Sequence, residues 1–186
     1  MFFNIAKYTL LFFPIALILG PFFTNLSVTI LGLYYLFFGN KTYLLNKISI
    51  FFISFYLFFI FSSIISENVY ISLKNSLFLF RYYFFILGVF TLIKIQKNIL
   101  TSFNYILIVI LSLVSIDVFI QLIFGKNIFL FEPAGTGIGR YSGVFGNELI
   151  LGSFLSRLFP LSLALVFYNL KNFNFKNLFL ITLYFL

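Results

Sequence analysis

Residues 99–124, ILTSFNYILIVILSLVSIDVFIQLIF, decide the fold class. No Gly or Pro interrupts this run, and Asp117 is its one charged residue. At 1.5 Å per residue such a helix measures about 39 Å, more than the roughly 30 Å of bilayer hydrocarbon. A helix on the surface of a soluble domain keeps a polar face, and this stretch has none. It reads as a transmembrane helix.

The remainder of the chain agrees. Of its 186 residues, 62% are hydrophobic and 9% charged, and the mean hydropathy is +1.14. A soluble domain carries about 25% charged residues, so lipid must replace water around this one. Further apolar runs predict spans at 8–20, 22–39, 48–65, 76–93 and 149–168, with part of a seventh at 178–186. The expectation is an all-α, polytopic transmembrane helix bundle, with about six full spans plus the partial seventh, as one domain over 1–186. Residues 8–38 are too long for one span, and Gly20-Pro21 with Thr24-Asn25 divides them into a hairpin; one kinked span is the other reading. The run 178–186 is too short to cross, so the chain is expected to be truncated or the front part of a larger protein.

The net charge of +8 lies on Lys residues set singly or in pairs between apolar runs. That spacing orients a membrane protein; no nucleic-acid partner is expected. Lys7, Lys41, Lys47, Lys94, Lys97, Lys171 and Lys176 fall on one set of connections. Glu67, Glu132 and Glu148 fall on the other set, with Lys74, Lys126 and Arg140. Lys-rich loops stay cytoplasmic, which puts the N-terminus inside and the segments 66–75 and 125–148 outside. No cleaved signal peptide is expected, because Gly20-Pro21-Phe22 is a poor cleavage site. The chain has no Cys and no His. Thiolate chemistry, disulfides and imidazole catalysis are therefore excluded from it. The 32 Phe residues read as membrane filler.

Four polar groups inside the spans stand out: Arg81, Asp117, Gln121 and Arg157. Charge within a bilayer is costly and is paired or functional. Counting from the predicted span ends, Arg81, Asp117 and Arg157 lie roughly 8, 10 and 12 Å below the outer surface. Asp117 and Gln121, one turn apart, share a helix face. Two readings stand. Arg81 and Arg157 offer guanidinium forks to a phosphate, or the groups form an internal ion pair with the arginines snorkelling outward.

The outward loop 125–148 contains Glu132-Pro133-Ala134-Gly135-Thr136-Gly137-Ile138-Gly139-Arg140 and then Tyr141-Ser142-Gly143-Val144-Phe145-Gly146-Asn147-Glu148. Its glycines permit close approach of backbone to a ligand. Their spacing is not that of a nucleotide-binding G-x-G-x-x-G loop, and no strand precedes them. Asn147 is expected to cap the following helix, whose N-terminus would favour an anion. Gly152 and Ser156, small residues four apart, and Pro160 read as packing devices.

Arg140-Tyr141-Ser142-Gly143-Val144-Phe145-Gly146-Asn147 resembles the R-x-S-G-x-F-G-N loop of the O-antigen ligase and O-antigen polymerase family. Asp117, Gln121 and Gly125 look like that family's D-x-x-x-Q-x-x-x-G lead-in, and Arg81 is placed similarly to an arginine common there. The resemblance covers most of the chain loosely and residues 117–160 specifically. It implies a glycosyltransferase or ligase of the bacterial inner membrane that moves glycan from a polyprenyl diphosphate carrier on the outer face, without metal, cofactor or nucleotide sugar. On that footing Arg140, Arg81 and Arg157 are the candidates for the carrier diphosphate. Asp117 and Gln121 would orient them, and Gly139, Gly143, Gly146 and Asn147 would shape the loop. The family's second half, with its outward Arg/His loop, has no counterpart here. The chain would then be the N-terminal part of such an enzyme and inactive alone. A transporter or channel subunit for envelope components is the alternative, and a non-catalytic membrane fragment the third.

Overall fold

Every regular element in the described residues is a helix, because each long apolar run must satisfy its own backbone hydrogen bonds once water is gone. The computed structural model describes residues 2–45, 47–133 and 140–169. Its helices are α1 (Phe2–Leu19), α2 (Pro21–Phe38), α3 (Lys47–Ile64), α4 (Val69–Phe78), α5 (Phe80–Ile95), α6 (Asn98–Phe124) and α7 (Leu151–Asn169), with short 3-10 turns at Lys41–Leu45 and Gly143–Phe145. Five stretches among the described residues are long and apolar enough to cross a membrane: α1, α2, α4 with α5, α6 and α7. Within α3, Ser49–Ile64 is a shorter apolar helix. This is a polytopic membrane protein. The predicted partial seventh span lies outside the described residues.

The helices group into two compact units, Met1–Ile99 and Leu100–Leu186. In the first, Gly20 takes φ 112, a conformation open to glycine, and Pro21 starts α2 without needing an N–H partner. The chain folds back there as a hairpin. Thr24 Oγ1 donates to the Ala16 carbonyl at 3.1 Å across the turn. At the open end Phe2 stacks on Phe38 with ring centroids 5.2 Å apart. Helix α2 also packs on α5. That contact depends on Gly88, where a Cβ would run into the Leu31 carbonyl.

Helices α3 and α4–α5 form a second hairpin. Tyr83 stacks on Phe52 at 5.1 Å, Tyr56 meets Phe80 at 5.3 Å, and Ser63 hydrogen-bonds Ser76 near the connecting turn. Large side chains such as Phe51 and Phe58 on α3 are 74% and 64% exposed, apolar faces suited to contact with lipid. Lys94 lies over the rings of Tyr43 and Phe90 at 5.0 Å, so its charge is held against aromatic faces at the end of α5.

The fourth span differs from its predicted extent. Helix begins at Val69, so the segment 66–75, expected as an interfacial connection, is mostly helical. Lys74 and Asn75 are exposed and do not interrupt it. A single tight turn at Leu79 joins α4 to α5, with Leu79 N–H donating to Ser76 O at 3.1 Å and Tyr82 N–H to Leu79 O at 3.0 Å. Val69–Ile95 is thus a 27-residue apolar stretch. Arg81 follows that turn directly, as the second residue of α5.

In the second unit, Asn104 of α6 and Ser162 of α7 meet in a buried hydrogen bond of 3.0 Å. Such pairs hold membrane helices together where no hydrophobic effect drives them. Phe145 packs on Phe154 at 5.2 Å and seats the start of α7 against the loop before it.

Candidate functional site

Helix α6 ends on Gly125, whose φ of 73 and N–H bond to Gln121 O at 2.9 Å close the last turn. The chain then turns back along the helix it has just left. It does so because Asp117 and Gln121, buried at 1% and 0% exposure, hold it there. Asp117 Oδ1 accepts the Ile128 N–H at 3.0 Å, and its Oδ2 accepts the Asn127 side-chain amide at 3.2 Å. Gln121 Oε1 accepts the N–H groups of Ser142 and Gly143 at 3.0 and 2.9 Å, while its Nε2 donates to Phe131 O at 3.2 Å.

Asn127 sits at the centre and is 3% exposed. Its Nδ2 donates to Gly143 O at 2.8 Å as well as to Asp117. Its Oδ1 accepts the N–H groups of Phe129 and Phe131 at 3.0 and 2.8 Å. One side chain therefore joins the carboxylate of α6, the turn 127–131 and the loop segment at 143. Buried polar groups are tolerated when each is satisfied, and this network satisfies nearly all of its members. Ser142 Oγ is the exception: it is buried and has no hydrogen-bond partner among the described residues.

Glycine is required at the point of closest approach. Gly143 has φ 54, and a Cβ there would lie 2.8 Å from Val118 Cγ2 and 3.1 Å from Asp117 Oδ2. Gly146, at φ 60, faces the Phe131 ring, which a Cβ would meet at 3.7 Å. Lys126 and Glu132 pair at 3.1 Å across the base of the turn, both exposed.

Asp117, Gln121 and Gly143 come together as a clasp. Asp117 has no cationic partner among the described residues; its hydrogen bonds come from an amide side chain and a backbone N–H. Arg140 is exposed and stands two residues before the Ser142 N–H that Gln121 holds. Arg157 is exposed on α7. Arg81 belongs to the first unit, where its Nη2 donates to Tyr82 OH at 3.2 Å and its guanidinium lies over the Tyr82 ring at 5.0 Å. Its Nε is buried without a partner among the described residues. Gly139 lies outside the described residues, as do Gly135 and Gly137.

Asn147 does not cap α7 as expected. The chain makes one more turn, with Glu148 N–H donating to Phe145 O at 3.1 Å, and the first helical bond runs from Phe154 N–H to Ile150 O at 2.9 Å. The positive φ at Gly146 creates that extra turn. Asn127, the most connected residue of the site, was not singled out from the sequence. Its signal there was faint: an amide residue between the helix-ending Gly125 and the apolar run 128–131.

Comparison with protein families, curated proteins and solved structures finds no match to this chain.

Proposed function

We propose that this chain is the carrier-binding, N-terminal part of a membrane glycosyltransferase of the O-antigen ligase and polymerase type, acting on glycan linked to a polyprenyl diphosphate at the outer face of the bacterial inner membrane. The observation that carries the reading is the clasp. Gln121 fixes the backbone of Ser142 and Gly143 against the end of a membrane span, two residues from an exposed Arg140. A diphosphate lying at a membrane surface needs a cation presented on a backbone that does not fold away from it. In this role Arg140 grips the diphosphate with a planar guanidinium fork, and Asp117 and Gln121 act through the loop that carries it. Arg157, in the same unit as Arg140, supplies further positive charge for the anion. No imidazole of this chain takes part, since it has no His.

The test uses the full-length protein in membranes supplied with a polyprenyl diphosphate-linked glycan. Arg140→Ala abolishes transfer while insertion stays normal, and Arg140→Lys retains a fraction, since a point charge replaces a bidentate fork. Unchanged transfer by Arg140→Ala rejects the role. Cysteine introduced at position 140 reacts with an impermeant reagent from the external side; protection there would reject the orientation.

A further inference from the structure

The turn after α6 presents four consecutive apolar side chains outward. Ile128, Phe129, Leu130 and Phe131 are 61%, 62%, 76% and 45% exposed. A loop of this composition would collapse or disorder in water unless something held it open. Here the backbone is tightly built. Asn127 N–H donates to Phe131 O at 3.0 Å, Leu130 N–H to Asn127 O at 2.9 Å, and Asn127 Oδ1 takes two more N–H groups from inside the turn. Leu130 is driven to φ 65, a left-handed conformation unusual for any residue but glycine and costly for leucine. The buried clasp thus sustains a strained turn whose apolar side chains are left exposed, Phe131 the least because its ring also covers Gly146.

We infer that Ile128–Phe131 is a lipid-inserting finger that lies in the bilayer leaflet from which α6 emerges. Two observations select lipid over a protein partner. The finger is continuous with the exposed apolar end of α6, where Ile123 and Phe124 are 69% and 75% exposed, so the surface that faces lipid along the helix extends onto the turn. The charges, by contrast, are gathered at its base, where Lys126 pairs with Glu132 at 3.1 Å, both largely solvated. An apolar tip above a charged collar suits the boundary between acyl chains and headgroups. The loop at the end of α6 is then anchored at both ends, by the buried clasp on one side and the membrane on the other. This inference holds whether or not the chain serves glycan transfer.

The chain has no Trp, so Phe129→Trp introduces a single indole, which red-edge excitation separates from the 12 Tyr residues. Reconstituted in phosphatidylethanolamine–phosphatidylglycerol vesicles, this variant emits in the blue and is quenched several-fold when brominated-chain lipids replace part of the bilayer. Red-shifted emission without bromine quenching means a turn in water and overturns the proposal. Blue emission without quenching means a protein cover and overturns it equally. Should Phe129→Trp not fold, a spin label on Leu130→Cys in this Cys-free chain reads the same question. Collision with oxygen exceeding collision with an aqueous nickel chelate is expected, as at the lipid-facing control Phe119→Cys. The reverse order, or low values for both, overturns the finger.

Discussion

The side-chain amide of Asn127 lies 3.2 Å from Asp117 Oδ2 and 2.8 Å from Gly143 O, so one residue ties a membrane helix to a loop segment 16 positions further along. The rigidity of this end of the molecule depends on that bridge. It also gives the clasp an order of importance that substitutions can measure.

Asp117→Asn must turn its NH2 group onto either the Asn127 amide or the Ile128 N–H, setting two donors against each other, and costs about 1–3 kcal/mol of loop stability. Asn127→Asp loses both donor bonds and brings a second carboxylate beside the first, and is the more damaging of the two. The Asp117→Asn/Asn127→Asp double variant restores a donor facing an acceptor. It should recover part of the loss, with a coupling of about 0.5–3 kcal/mol in a double-mutant cycle on thermal unfolding in detergent. Strict additivity would mean that the two side chains do not interact.

Gln121→Leu strands the N–H groups of Ser142 and Gly143 in a dry site. Their amide hydrogens should exchange with deuterium at least tenfold faster, corresponding to about 1.4 kcal/mol or more. Gln121→Glu keeps the acceptor for both N–H groups and loses the bond to Phe131 O, so exchange at Ser142 and Gly143 should rise less. Equal exchange in both variants would place the hold on these amides elsewhere.

Gly143→Ala must add a Cβ at φ 54, within 2.8 Å of Val118 Cγ2. A cost of about 1–3 kcal/mol is expected. Limited proteolysis should cut earlier between Phe124 and Leu151 than in the parent, with helices α6 and α7 intact. A cleavage rate matching the parent would show that the loop shifts to accept the methyl group at no cost.

In the first unit, two glycines at one helix contact behave differently. Gly88→Ala drives a Cβ into the Leu31 carbonyl, a backbone atom that cannot step aside, and should lower stability by about 1–3 kcal/mol. At Gly32 the added Cβ meets Phe84 Cβ at an ordinary 3.4 Å, and the better helix propensity of alanine offsets what strain there is. Gly32→Ala should leave the melting temperature within a few degrees of the parent. The reverse ranking would overturn the close approach of α2 and α5.

Composition and the uninterrupted run 99–124 were enough to make this an all-α membrane protein, because a helix is the one way such a run can satisfy its backbone in lipid. The shared face of Asp117 and Gln121 was equally legible, since helix periodicity alone sets it. What these two residues hold was not. The partners Asn127, Ser142 and Gly143 lie 10, 21 and 22 residues along the chain from the one of these two that each meets, and no local pattern encodes such a return. The start of helix at Val69 also escaped the sequence, because exposed Lys74 and Asn75 look like a loop until α4 is seen to run through them. Local periodicity specifies elements; long-range closure, which depends on buried polar groups finding one another in three dimensions, belongs to the tertiary structure.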